Sequence, residues 1–219
     1  MHRLSIIFDL DGTLLDTLTD IAETANSVLA SRGFPTHPPL SYKHFIGNGL
    51  SVLIERMVPP DTEEYIRNDL KKMFSQLYSE NWTNNCCQYD GIGDMLRTLQ
   101  DKGVGMAVLS NKPHVFTTMF VERYFPRGLF SCVYGQREGV AIKPDPTVAL
   151  AIAEQLGKRP RDMLFVGDTA VDIRTGKASG MTTVGVSWGF RSVHVLQGEN
   201  PDLIINSPME LPQYVQRLT

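Results

Sequence analysis

The chain has 219 residues, 42% hydrophobic and 21% charged, with a formal net charge of -3. That length holds one large domain or two small ones. The charge balance argues against an electrostatic grip on nucleic acid or a membrane surface, and no run approaches the ~18 apolar residues of a spanning segment.

The chain enters its first predicted strand almost at once, with no apolar leader and cleavage site ahead of it, so a cytoplasmic protein is expected. Cys86 and Cys87 are adjacent and Cys132 stands alone in an apolar run. This spacing predicts reduced thiols, with no disulfide framework and no structural zinc. The histidines (His2, His37, His44, His114 and His194) are scattered and are expected on the surface or in packing.

The first predicted strand is Ile6, Ile7 and Phe8, which runs straight into Asp9, Asp11 and Gly12. Residues at i and i+2 of a strand point the same way. Two carboxylates therefore face one pocket at the carboxyl end of a strand, where open α/β sheets bind ligands. Their repulsion, about 4 kcal/mol at ~4 Å in a partly screened site, calls for a cation or a retained proton. A calcium loop counted from Asp9 fits poorly, since its later positions fall on Leu14, Leu15 and Thr17 and its twelfth on Asp20 rather than Glu.

From about Thr17 to Trp82 the periodicity is helical without a convincing strand. Leu18, Ile21, Ala25, Val28 and Leu29 make one apolar face that ends at Gly33. Pro35, Pro38 and Pro39 predict a hinge-like loop. A second helix is expected over 49–57, an interruption at Pro59 and Pro60, and a third helix from Thr62 to about Glu80. Trp82 to Gln88 reads as a return linker.

Beyond it, short apolar strands alternate with amphipathic helices. Strands are expected at 104–109, 130–134, 163–166, 182–186 and 203–205. Ile92, Met95, Leu96 and Leu99 predict a helix with Asp90 as cap and Gly103 as stop; Ala149, Ile152, Ala153 and Leu156 predict another that ends at Gly157. Ser207, Pro208 and Glu210 predict a capping box. Such alternation implies an α/β fold: a Rossmann-like parallel sheet flanked by helices, with an inserted all-helical segment.

Polar residues recur at later strand ends. Ser110 precedes Asn111, Lys112 and Pro113, a setting that suits either an anion site or a plain helix cap. Lys143 lies just before the Ala149 helix and is placed to neutralise a phosphoryl oxygen. Gly167-Asp168-Thr169, followed by Asp172, ends another apolar strand with a second acid in the first helical turn. Together these residues are the ligand set that Mg2+ and a phosphoryl group require.

In their order and spacing they resemble the four motifs of the haloacid dehalogenase-like phosphohydrolases, across nearly the whole chain. Asp9 to Leu14 resembles the first motif, Ser110 the second, Lys143 the third and Gly167 to Asp172 the fourth. The helical insertion resembles that superfamily's C1-type cap, giving a core of residues 1–15 and 85–219 and a cap of residues 16–84.

The resemblance implies Asp9 as nucleophile and Asp11 as general acid and base. It implies Ser110 and Lys143 as phosphoryl ligands. Mg2+ would be held by Asp9, the carbonyl oxygen of Asp11, and Asp168, with Asp172 behind them. Thr13 is assigned to substrate binding. So are Gly47, Asn48 and Gly49, in a cap loop similar to that of phosphoglycolate phosphatases, and Asn111 beside Ser110. Lys112 is expected only to shape the entrance.

The implied activity is hydrolysis of a small phosphorylated metabolite, 2-phosphoglycolate among them, by a monomer or homodimer without nucleic acid or membrane partners. A phosphomutase similar to β-phosphoglucomutase or a pyrophosphatase remains open. A dehalogenase is disfavoured by Asp rather than Tyr at position 11, and an inert binding protein by the presence of all four charged positions.

Overall fold

The computed structural model describes residues 4–218. Six strands form one parallel sheet: β1 (Ser5–Phe8), β4 (Gly105–Pro113), β5 (Cys132–Gln136), β6 (Met163–Gly167), β7 (Thr182–Val186) and β8 (Leu203–Ile205). Their order across the sheet is β5-β4-β1-β6-β7-β8. β1 is central, with Ser5 opposite Gly105 on one side and Met163 on the other.

Alternate residues of the strands feed separate cores on the two faces. Ile6, Phe8, Val108 and Val166 pack on one face against α5 (Ile92–Asp101), α6 (His114–Tyr124) and α10 (Glu210–Arg217). Ile7, Ala107 and Phe165 pack on the other against α7 (Thr147–Gln155). Ile6, Ile7 and Phe8 are fully buried, each worth about 1.5–3 kcal/mol in apolar transfer. The α/β fold, its parallel sheet and its helical flanks are as the sequence predicts.

Between β1 and β4 the chain forms α1 (Leu18–Ser31), α2 (Tyr42–Phe45), α3 (Leu50–Met57) and α4 (Glu64–Asn81). Three of these match the expected periodicity. The proline-rich stretch expected to be a loop instead tightens into a 3₁₀ turn, Pro39–Ser41, that leads into α2. The two connections to the sheet also pair with each other: β2 (Leu15–Asp16) and β3 (Cys87–Gln88) form an antiparallel ladder.

Further differences are local. Strand β5 starts two residues later than expected. It is an edge strand, and Cys132 is only half-buried there. Asp90 does not cap α5; the cap position is Gly91, whose φ of 84° suits glycine. Only half of the predicted box at α10 forms, with Glu210 Oε1 accepting the N–H of Ser207 at 2.9 Å. Helices α8 (Ala170–Ala178) and α9 (Val193–Gly198) complete the fold, and α9 was not predicted.

Candidate active site

Asp9 follows β1, Ser110 and Asn111 lie in β4, and Asp168 follows β6. The three neighbouring strands β4, β1 and β6 therefore deliver their polar residues to one rim of the sheet. Lys143 comes from the loop before α7, and its Nζ bridges Asp172 Oδ1 at 2.6 Å and Asp9 Oδ1 at 2.9 Å. The contact with Asp9 is an ion pair without hydrogen-bond alignment, so Asp9 Oδ1 is buried with no hydrogen-bond partner.

Asp9, Asp168 and Asp172 offer carboxylate oxygens that all lie within 4.8 Å of one another. Burial pushes the Asp9 carboxyl up to about 7; Lys143 opposes the shift, while Asp172 and Asp11 add to it. Burial, then the charges of Asp172 and Asp9, holds Asp168 well above the usual carboxylate range. Burial also penalises the Lys143 ammonium, but Asp172 and Asp9 more than reverse that and hold its pKa above the usual lysine range. Crowded acids of this kind are relieved by a hard divalent cation with oxygen preference.

The acids differ in their freedom to bind one. Both oxygens of Asp172 are engaged: Oδ1 by Lys143, and Oδ2 by the Thr169 hydroxyl at 2.6 Å and N–H at 3.0 Å, in the capping box that starts α8. Asp168 Oδ2 accepts the N–H of Phe190 at 2.7 Å, and its Oδ1 accepts the Thr13 hydroxyl at 3.2 Å. Asp9, with one oxygen paired to Lys143, and Asp168 keep lone pairs that fit a metal; Asp172 fits a role in orienting Lys143 and α8. Gly12, with φ of 83°, permits the close approach, since a Cβ there would lie 2.4 Å from Asp168 Oδ2.

Asp11 is held differently. Lys112 Nζ donates to its Oδ1 at 3.0 Å and Oδ2 at 3.2 Å, and the Thr17 hydroxyl donates to Oδ1 at 2.8 Å. Lys112 is itself buried. It also donates to Tyr78 Oη at 3.0 Å and sits 4.5 Å from the centre of the Phe120 ring. Sequence reasoning gave Lys112 only the entrance and did not single out Tyr78. The helical periodicity of α4 marks Tyr78 as apolar-facing but carries no sign that a lysine ends beneath it.

A cleft with about 570 Å³ of free space, open to solvent, lies between the acids and the inserted helices. Asp9, Asp11, Ser110 and Asn111 line its floor. Ile21, Leu50, Leu53 and Phe74 line its roof, with Gly47 and Gly49 at the edge. Asn111 joins the two sides: its Nδ2 donates to the Gly47 carbonyl and to the Lys143 carbonyl, each at 3.0 Å, and its Oδ1 accepts the Lys143 N–H at 2.9 Å. Ser110 does not cap a helix; its Oγ accepts the N–H of Lys112 at 3.2 Å within the strand.

Two residues assigned to substrate do not line this cleft. Thr13 is buried, with its hydroxyl on Asp168 and its carbonyl accepting Trp188 Nε1–H at 3.0 Å. Asn48 Oδ1 accepts a hydrogen bond from Arg56 Nη2 at 2.9 Å. Arg191, absent from the sequence reading, donates through Nη2 to the Ile46 carbonyl at 2.8 Å.

A model of the family described as haloacid dehalogenase-like hydrolase matches residues 6–186. A phosphoglycolate phosphatase of Pseudomonas putida is 31% identical over 92% of this chain and 75% of its own length. One from Haemophilus influenzae is 33% identical over 93% of this chain and 94% of its own. A crystal structure from Lactobacillus delbrueckii subsp. bulgaricus, provisionally assigned the same activity, superposes with a TM-score of 0.91 at 28% identity, covering 98% of this chain and 99% of that one. The chain belongs to the haloacid dehalogenase-like hydrolases and is a phosphatase of that family, similar to its phosphoglycolate phosphatases.

Proposed function

We propose that the chain is a Mg2+-dependent phosphomonoester hydrolase that acts on a small phosphorylated metabolite through an aspartyl-phosphate, with 2-phosphoglycolate the first substrate to assay. The observation that carries this reading is buried Asp9, one oxygen ion-paired with Lys143, set beside Asp168 and Asp172 on the floor of an open cleft.

Asp9 attacks phosphorus while the bond to the leaving alcohol breaks, and Asp11 gives its proton to that alcohol's oxygen. Water then attacks the aspartyl-phosphate, Asp11 takes the water's proton, and the bond from Asp9 to phosphorus breaks to release inorganic phosphate. Lys143 and the Ser110 hydroxyl hold the phosphoryl oxygens. Asp9, the Asp11 carbonyl oxygen and Asp168 would hold Mg2+, whose positive charge would offset repulsion between carboxylate and phosphate.

Residues 16–84 act as a cap that closes on the linkers near Asp16 and Asn84 and excludes water. The cap loop binds the far end of the substrate. Among the described residues no acceptor pairs with the N–H of Gly47, Asn48 or Gly49, and both glycines border the cleft. Three free cysteines accord with a cytoplasmic enzyme, here read as a monomer or homodimer.

The test is phosphate release from a panel of small phosphorylated metabolites, with and without Mg2+ and with a haloacid control. Asp9→Asn should stay folded by circular dichroism and lose about a thousandfold or more of turnover. Near-wild-type release by the folded variant refutes the nucleophile. A sugar-phosphate isomer as product would mark a mutase.

A further inference from the structure

The loop that carries the cap's glycines is held by side chains from three directions. Arg56 Nη1 donates to the carbonyls of His44 and Phe45, each at 3.1 Å, and its Nη2 donates to Asn48 Oδ1. Asn111, from strand β4, takes the Gly47 carbonyl. Arg191, from the loop between β7 and α9, takes the Ile46 carbonyl. Four successive carbonyls, 44 to 47, are thus bound by side chains. Among the described residues, the N–H groups of Gly47, Asn48 and Gly49 have no protein acceptor.

Arg56 belongs to the inserted helices and would travel with the loop. Asn111, in β4, and Arg191, in the loop after β7, lie on the sheet's side and clasp the loop across the cleft. Asn111 is tied to Lys143 and so to the reacting end of the site. Arg191 has no hydrogen bond to Asp9, Asp11, Asp168 or Lys143 and does not line the cleft. A Cβ on Gly47 would lie 3.7 Å from Arg191 Nη2, in ordinary contact, so the guanidinium already packs against the loop. Its Nη1 is buried with no hydrogen-bond partner among the described residues.

We propose that Arg191 is a positioning residue for substrate affinity: by gripping the Ile46 carbonyl it holds the Gly47–Gly49 turn, with its free N–H groups, against the mouth of the cleft. It acts through the cap loop and not on the reacting atoms. The effect on substrate rests on the phosphatase reading above; the effect on the loop does not.

The experiment compares wild type, Arg191→Met and Arg191→Lys. Methionine keeps much of the apolar stem and loses the donor; lysine restores one donor to the carbonyl. With Mg2+ and 2-phosphoglycolate or 4-nitrophenyl phosphate, Arg191→Met should raise KM about tenfold, the size of one charge-assisted hydrogen bond, with kcat within about twofold. Arg191→Lys should recover most of that loss. Hydrogen exchange of residues 44–49 should be faster in Arg191→Met and restored in Arg191→Lys. Unchanged KM and unchanged exchange overturn the proposal. A fall in kcat at constant KM also overturns it, because Arg191 would then serve the chemical step. Should wild type hydrolyse neither ester, the phosphatase reading falls, and exchange at the loop alone decides whether Arg191 is the clasp.

Discussion

Lys112 shows what one buried charge does at this site. Its ammonium has given all three donors, two to Asp11 and one to Tyr78, between two aromatic rings. Removing one partner of such a pair strands the other without water. Lys112→Met should cost about 3 kcal/mol in urea unfolding, and adding Asp11→Asn should return part of it, because the stranded carboxylate is then gone. A double variant no more stable than Lys112→Met would show that the pair is not coupled. Asp9, Asp11, Ser110, Lys143 and Asp168 were legible because each interrupts an apolar run or precedes a helix at a strand end. Lys112 and Arg191 were not, since a lysine or arginine in a polar stretch carries no local mark of burial; only the aromatic roof and the cap loop give them partners.

At the scale of elements, most strands with near-continuous apolar runs were read to within two residues, and 182–186 and 203–205 to the residue, while β4 runs four residues past the expected 109, to Pro113. The misses have physical causes. β2 and β3 have two residues each, too few for any periodicity, and exist because the two linkers lie side by side. Helices α2 and α9 are one to two turns long and depend on packing: Tyr42 is wholly buried with its hydroxyl on Asn26, and Leu196 is wholly buried. The return linker is also anchored where no motif showed it. Asp20 in α1 accepts the N–H of Asn85 at 2.9 Å and of Cys86 at 3.0 Å, and the Asn85 side-chain amide at 2.8 Å. Asp20→Ala leaves these donors unpaired and should cost about 1–3 kcal/mol, with amide exchange accelerated first at Asn85 and Cys86. Uniform acceleration across the sheet instead would mean that Asp20 does not act locally.

At the scale of the whole molecule, the acid cluster predicts a stability that depends on a cation. Asp9, Asp168 and Asp172 repel one another in the folded chain and are dispersed in the unfolded one, so a metal that binds only the folded state stabilises it by mass action. Thermal unfolding should shift upward with Mg2+, by the equivalent of about 2.7 kcal/mol at a hundred times the dissociation constant. Asp168→Asn should flatten that dependence, whatever its own melting temperature. A wild-type curve indifferent to Mg2+ would remove the metal from the site. The parallel sheet and the convergence of distant segments at its rim followed from strand–helix alternation, while the order of the strands did not. The clasp across the cleft did not, because it depends on how the inserted helices sit over the sheet.

The central place of β1 also governs how the chain is made. Its neighbours, β4 and β6, begin at Gly105 and Met163, so during synthesis the first strand emerges long before either partner exists. Ile6, Ile7 and Phe8 must wait, exposed and unpaired, while the inserted helices, whose contacts are more local, are free to form ahead of them. The strand at the centre of the sheet is thus made well before the two that flank it, and its lattice of neighbours closes only once β6 has followed.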